Sequence, residues 1–319
     1  MQNNVFVSIC IPTYNGALYL NKCLKSVLNQ TYNFFDIIIS DDNSTDNTVE
    51  IANSLLSKAD INYKIINNKS SVGVADNWNN AIKNASGQYI KMLFQDDYLY
   101  PDCIKKMISL AETNKELGFI FSLRDIIYEK QIENDFETRC ILDHKQYLRD
   151  LPQIQEGIDL INNKYLLNGS NIIGEPSHVL IRKNVFNEIG YFNPSIIQLI
   201  DIDMWYRILL KYKVGFINES LSVFRIHDNQ LSNKNKKYFA KVENEKLILL
   251  KSLYENLVNI NYNKFALSIL DQNIRRISIS NKIYWKMLKP FWKFFYSLKN
   301  RIFKLFNAEN INNSSLRKN

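Results

Sequence analysis

Apolar and polar positions alternate in blocks along the first 120 residues. Residues 5–11 (VFVSICI) form a β-branched run that stops at Pro12 and predict a strand. Leu20, Cys23, Leu24, Val27 and Leu28 then recur at helical spacing. Residues 36–40 (DIIIS) are a short apolar run between polar turn residues, as in a parallel strand buried on both faces. The pattern continues with a helix over about 48–58, a strand over 61–66 and a helix over 77–84. A strand over 89–94, a helix opened by Pro101 and a strand over 118–122 follow. This alternation predicts an α/β protein with a doubly wound, mainly parallel sheet. Such sheets bind ligands at the carboxyl ends of their strands. The polar clusters after the first, second and fourth strands therefore draw attention.

Residues 124–175 carry no regular pattern. From residue 177 it resumes with HVLIR, a short helix, an amphipathic helix over 200–212, and strands near 214–217 and 221–226. Beyond residue 233 the chain reads as helical, and the Asn-rich end NAENINNSSLRKN reads as disordered. The expected organisation is a domain over 1–232, in two halves (1–123 and 124–232). A helical extension over 233–319 follows.

Charge changes this picture. Residues 272–319 hold eleven Lys/Arg against one acid, whereas residues 1–271 carry 29 basic and 31 acidic side chains. A near-neutral body with a basic end suggests an anionic surface as partner. Residues 281–306 place Lys282, Lys286, Lys289 and Lys293 on one helical face, beside Trp285, Phe291, Trp292 and Phe295. That combination fits a helix lying in a membrane interface, with Pro290 as a kink; a helix packed on the body with solvated lysines is the alternative. Nucleic acid is not expected, because the body is not basic. The four cysteines are widely spaced and read as free thiols of a reducing compartment. Neither a signal peptide nor a run of 18 apolar residues is evident. The expected location is cytoplasmic, on the inner face of the cell membrane.

Five segments appear in a telling order: VSICIPTYNGALYLNKCLKSVLNQTY, DIIISDDNSTDNT, GQYIKMLFQDDYLYPD, IDIDMWYR and FRIHDNQLS. Together they resemble the family-2 glycosyltransferases of GT-A fold over residues 5–232. The resemblance implies that Pro12, Thr13, Tyr14 and Asn15 line a nucleotide site, where a tyrosine ring can stack on a base. A helix cap is the alternative for this loop. Asp42 is implied to contact the nucleobase, and Asp46 reads as a helix cap. Asn79 is implied to touch the donor or neighbouring backbone. Trp78 stands where many members carry Arg.

Asp96 and Asp97 fill the place of the family's DxD-type motif. The resemblance makes Asp97 a ligand of Mg²⁺ or Mn²⁺ and puts Asp96 on ribose or sugar. Few carboxylates plus phosphate oxygens suffice for such a hard cation. Arg225 is a candidate for the donor diphosphate and His227 for the metal; a structural His227 is the alternative. The family often shows Glu-Asp at 200–201, where Ile200 replaces the Glu here. Asp201 is the expected general base, with a helix cap as alternative, whereas Asp203 can pair with Arg207 one turn on. The role of the loop Gly174-Glu175-Pro176-Ser177 stays open.

The resemblance implies an inverting, metal-dependent transfer of one sugar from a nucleotide-diphosphate donor to a hydroxyl. A UDP-sugar is favoured because a carboxylate suits the uracil N3–H. A lipid-linked saccharide acceptor in surface-polysaccharide assembly fits the basic, aromatic end. The departures at Trp78 and Ile200 leave a second reading open, a catalytically degenerate, membrane-tethered binding protein.

Overall fold

The computed structural model describes residues 5–129, 148–228, 230 and 239–280. Its centre is a nine-stranded mixed sheet in the order β3-β2-β1-β4-β8-β6-β9-β5, with β7 also paired to β9. The strands are β1 (Val7–Thr13), β2 (Phe35–Asp41), β3 (Tyr63–Asn67), β4 (Tyr89–Met92), β5 (Tyr98–Leu99), β6 (Leu117–Tyr128), β7 (Ile154–Glu156), β8 (Val179–Arg182) and β9 (Lys213–Ile226). Strands β1 to β4 pair in parallel, with β1 between β2 and β4. Strand β8 then enters antiparallel between β4 and β6, and β6 runs parallel to β9.

Helices α1 (Ala17–Leu28), α2 (Thr48–Leu56), α3 (Val74–Lys83) and α4 (Cys103–Ala111) connect the parallel half. All seven residues of β1 and of β2 are buried, because helices cover both faces. Alternate side chains divide between two apolar layers. Val7, Ile9, Ile11, Ile37 and Ile39 face the layer of α1, with Leu20, Cys23, Leu24 and Val27. Cys10 and Ile38 face the other layer, with Ala81 and Ile82 of α3. Cys10, Cys23 and Cys103 are buried free thiols, as expected; Cys140 lies outside the described residues.

Helices α5 (Gly157–Ile161), α6 (Asn184–Ile189) and α7 (Ile200–Leu209) belong to the second half. Trp205 of α7 is fully buried and rests on Phe119 of β6, with ring centroids 5.4 Å apart. Helix α8 (Phe239–Asn259) and a helix over 264–280 (α9) close the described chain. Leu249, Leu250, Leu253, Leu257, Ala266, Leu270 and Ile277 join the same apolar layer as Trp205. Apolar residues of the helices past residue 232, up to 280, thus belong to the same core. Segment 281–306 lies outside the described residues.

The two strands expected over 214–217 and 221–226 form one long β9, and β6 extends well past residue 122. Their pairing shifts register between Ser122 and Arg124, so a polar interruption that reads as a turn is an irregularity within the ladder. The short β5 and β7 had no sequence signal of their own; each is added by pairing to β9.

The approach to α7 is held by a residue of α8. Glu245 is buried, and its carboxylate accepts the N–H groups of Ile197 (3.1 Å), Gln198 (2.8 Å) and Leu199 (3.3 Å). These three donors have no helical partner, so the glutamate acts as a cap supplied from outside the helix. Glu245→Ala should cost about 1–3 kcal/mol of stability in urea denaturation, because it leaves three part-buried N–H groups without this acceptor. Glu245→Gln should lose less, since one amide oxygen still accepts.

Candidate active site

The carboxyl ends of β1, β2, β4, β6 and β9 share one edge of the sheet, and the polar loops after them meet there. β1 ends at Thr13. The Thr13 hydroxyl donates to Asp41 Oδ2 at 2.7 Å, and Ser44 donates to the same carboxylate through N–H and hydroxyl. Asn15 takes a positive φ of 47° and exchanges hydrogen bonds with Ser44 and Thr45. Asn is among the few residues that tolerate this conformation. Asp46 accepts the N–H groups of Thr48 and Ala17, so it caps the starts of α2 and α1 together. This is the capping role expected for it.

Several residues expected to meet the donor are committed elsewhere. Pro12 and Thr13 are buried at the end of β1, where they frame the loop that follows. Asp42 accepts from Val72 N–H (2.7 Å), Gly73 N–H (3.2 Å), the Ser71 hydroxyl (2.6 Å) and Asn68 (3.2 Å). Four donors use the acceptor sites of a carboxylate. Asp42 thus holds the loop before α3 through these four bonds. Asn79 is spent at both amide ends on the Phe192 backbone, at 2.8 and 3.0 Å, and bridges α3 to the chain before α7. Trp78 packs on Phe94 and Phe192. Tyr14, by contrast, keeps its ring 53% exposed above the crevice.

Asp96 and Asp97 follow β4. Asp97 is 1% exposed; its Oδ1 accepts the Arg225 N–H at 3.1 Å, and its Oδ2 has no hydrogen-bond partner among the described residues. Burial, and then the adjacent Asp96 carboxylate, push the Asp97 carboxyl well above the ordinary range. Asp96 Oδ2 lies 3.1 Å from His227 Nε2, and its carbonyl accepts Arg225 Nε–H at 3.0 Å. The Arg225 guanidinium sits over the Tyr19 ring and 3.4 Å from Glu129. Arg225 and His227 therefore gather at the acidic pair. Among the described residues no three His, Cys, Asp or Glu side chains converge as a cage. A buried carboxylate oxygen without a donor, beside a second carboxylate, nevertheless suits a hard divalent cation that keeps most of its shell from phosphate and water.

The second acidic centre lies where the 171–178 loop meets α7. Asp201 is half-buried; its Oδ2 accepts Asn171 Nδ2–H at 2.7 Å and its Oδ1 the Ile202 N–H at 2.8 Å. Asn171 also bonds both ways with Gly174, and Trp205 Nε1–H donates to the Gly174 carbonyl. Gly174 has φ +102°, and a Cβ there would lie 2.4 Å from Arg124 Nη1, so no larger residue fits. Glu175 Oε2 pairs with Arg124 Nε and His178 Nε2, each at 3.1 Å. Burial alone would raise Glu175; Arg124 and the His178 hydrogen bond overcome it and hold this carboxyl well below the ordinary range. His178 is fully buried, which lowers it to about 4, and its Nδ1 faces the Ser222 hydroxyl at 2.6 Å. Burial and then the Glu175 charge push Asp201 up to about 7. Asp203 instead pairs with Arg207 at 2.6 Å, one helical turn on, as expected.

Sequence reasoning missed Arg124, Asn171, His178, Gln95 and Glu245. The first three lie in or beside the stretch without periodicity, and nothing local marks Glu245 as a partner of residues 197–199.

A mixed sheet of this order, with acidic loops gathered at its carboxyl edge, is an α/β fold of the kind that binds ligands beyond its strand ends. It overlays on S. aureus TarS 1–349 in complex with UDP-GlcNAc with a TM-score of 0.60 at 16% identity, over 85% of this chain and 71% of that one. It overlays on the mannosyltransferase PcManGT of Pyrobaculum calidifontis, in complex with GDP-Man and Mn²⁺, with a TM-score of 0.55 at 12% identity. This second match covers 89% and 79% of the two chains. The family model for glycosyl transferase family 2 matches residues 8–190, and the chain belongs to that family. Among relatives, it is 28% identical over 220 residues to the glycosyltransferase GlyG of Streptococcus pneumoniae, covering 69% of this chain and 70% of that protein. It is 31% identical over 224 residues to an uncharacterized protein of Mycobacterium tuberculosis, covering 69% of this chain and 66% of that one.

Glu175→Gln should move the Asp201 titration, followed by carboxyl NMR, downward from about 7, because a negative charge is removed while the side-chain shape is kept. An unmoved midpoint would assign the shift to burial alone. Asn79→Ala should lower stability by about 1–3 kcal/mol and leave nucleotide affinity unchanged, in keeping with a purely internal role.

Proposed function

We propose that this chain is an inverting, metal-dependent glycosyltransferase that moves one sugar from a nucleotide-diphosphate donor to a saccharide hydroxyl. The observation that carries the reading is Asp201, a half-buried carboxylate pushed up to about 7 at the carboxyl edge of a GT-A sheet. A base works best with a pKa near the working pH. Asn171 and the Ile202 N–H orient its oxygens. Asp201 takes the proton of the acceptor hydroxyl as that oxygen bonds to the anomeric carbon and the sugar–phosphate bond breaks. Attack on the face opposite the leaving diphosphate inverts the anomeric centre.

Tyr14 offers its exposed ring to the base. Asp97, with Asp96 and His227 beside it, would hold Mg²⁺ or Mn²⁺. Such a cation offsets charge on the leaving diphosphate. Arg225 keeps the acidic pair in place through its N–H and its guanidinium. With Asp42 engaged by its own loop, support for a UDP-sugar comes from the TarS complexes with UDP and UDP-GlcNAc. A guanosine donor, as in the archaeal neighbour, is the alternative to test.

The basic aromatic segment 281–306 supports a lipid-linked acceptor in surface-polysaccharide assembly. It also supports contact with the inner face of the cell membrane. No helix among the described residues is long and apolar enough to cross a membrane.

Calorimetric titration with UDP, with and without Mn²⁺, should give binding that needs both the metal and Asp97. Asp97→Ala should abolish the metal-supported binding of UDP, and GDP and dTDP should bind the wild-type chain more weakly. Asp201→Asn should lower turnover by about 10²–10⁴-fold with UDP affinity unchanged. Because the base must be ionised, kcat/KM should rise as pH rises through about 7 and lose that limb in Asp201→Asn. Full turnover by Asp201→Asn, or metal-independent binding, overturns the reading. Sedimentation of the full chain with anionic vesicles, but not with phosphatidylcholine vesicles, should depend on Lys282, Lys286, Lys289 and Lys293.

A further inference from the structure

β1 and β4 are neighbours in the sheet, with Cys10 opposite Met92, so the loops after them leave the edge side by side. One loop carries Tyr14, the other Asp96 and Asp97. Between them stands Gln95. Its Oε1 accepts the Tyr14 N–H at 2.9 Å, and its Nε2–H donates to the Tyr14 carbonyl at 3.0 Å. One side-chain amide thus continues the ladder for a residue just beyond the strand. A side-chain amide suits this pair of bonds because it carries a donor and an acceptor side by side on one planar group.

The space for this amide exists because residue 16 has no side chain. A Cβ at Gly16 would lie 2.1 Å from Gln95 Oε1 and 2.4 Å from its Cδ. The Gly16 backbone itself, at φ −104° and ψ 10°, is open to other residues. The glycine is therefore required for room and not for conformation.

We infer that Gln95 is a positioning residue for donor binding, and that Gly16 is its obligate companion. The amide sets the distance and angle between the exposed Tyr14 ring and the Asp96–Asp97 pair. Those are the groups on which the base end and the diphosphate end of one donor would rest. The inference rests on the nucleotide-donor reading above. Gln95 touches no reacting atom in this scheme; it acts through the two loops it ties.

The test is a titration of the full chain with UDP and Mn²⁺, alongside steady-state kinetics. Gln95→Ala and Gln95→Met should each weaken UDP by about tenfold, the worth of two modest hydrogen bonds. Gln95→Glu should weaken it as well, because a carboxylate oxygen would then face the Tyr14 carbonyl. Gly16→Ala should match Gln95→Ala, because the methyl group displaces the amide. The double variant G16A/Q95A should bind UDP within twofold of Q95A alone, since the clash has been removed. Donor KM should rise in all of them while acceptor KM stays unchanged, a split that general loss of stability would not produce. If Gly16→Ala does not fold, the three Gln95 variants decide the matter. UDP affinity within twofold of wild type in Q95A, or multiplicative effects of G16A and Q95A, overturns the inference alone. A wild-type chain that binds none of UDP, GDP and dTDP overturns the donor reading with it.

Discussion

A carboxylate withdrawn from water costs several kcal/mol unless donors or cations surround it. The functional edge of this protein is organised by that constraint. Asp41 is met by Thr13 and Ser44, and Asp42 by the chain from Asn68 to Gly73. Glu175 is met by Arg124 and His178, and Glu245 by three consecutive N–H groups. In each case a loop without regular structure takes its shape by wrapping an acid. The loops at this edge are irregular in backbone and well determined in position.

Two acids are treated differently. Asp97 keeps one buried oxygen without a well-formed hydrogen bond among the described residues, with the Ser177 side chain as its nearby polar neighbour, and Asp201 has two good donors but stands in the field of an ionised Glu175. Both are held in states that fully paired carboxylates would not reach. The satisfied acids build the frame, and the two under-compensated ones are those on which the proposed metal and base roles rest. The same division explains why nearby polar residues such as Asn79 and Asp203, equally prominent along the chain, are internal fasteners.

The helices past residue 232 take part in this arrangement. Their apolar residues share a core with α7, and Glu245 reaches across to fix the segment that leads into Asp201. Asp201 is thus supported from one side by the 171–178 loop and from the other by a helix some forty residues later in the chain. A carboxylate position set by two separate elements is stiffer than one set by its own helix alone, which favours a fixed orientation toward an incoming hydroxyl.

The parallel half of the fold was legible in the sequence, because strands buried on both faces and amphipathic helices leave periodic signals that depend on neighbours a few residues away. Ser40–Asp41 and Phe94–Asp97 could be placed at strand ends for the same reason, as could the helical ion pair of Asp203 with Arg207. The membership of β8 in the middle of the sheet was not legible, nor was the union of 213–226 into one strand or the dependence of β5 and β7 on β9. Pairing partners lie far off in sequence, and hydrophobic period does not name them. The acids themselves could be found by reading the chain. Which of them would be quenched by donors and which left exposed to charge was decided only by tertiary structure, because Arg124, Asn171, His178, Arg225 and Glu245 reach those sites from distant segments, and the energy of a carboxylate depends on what surrounds it in space.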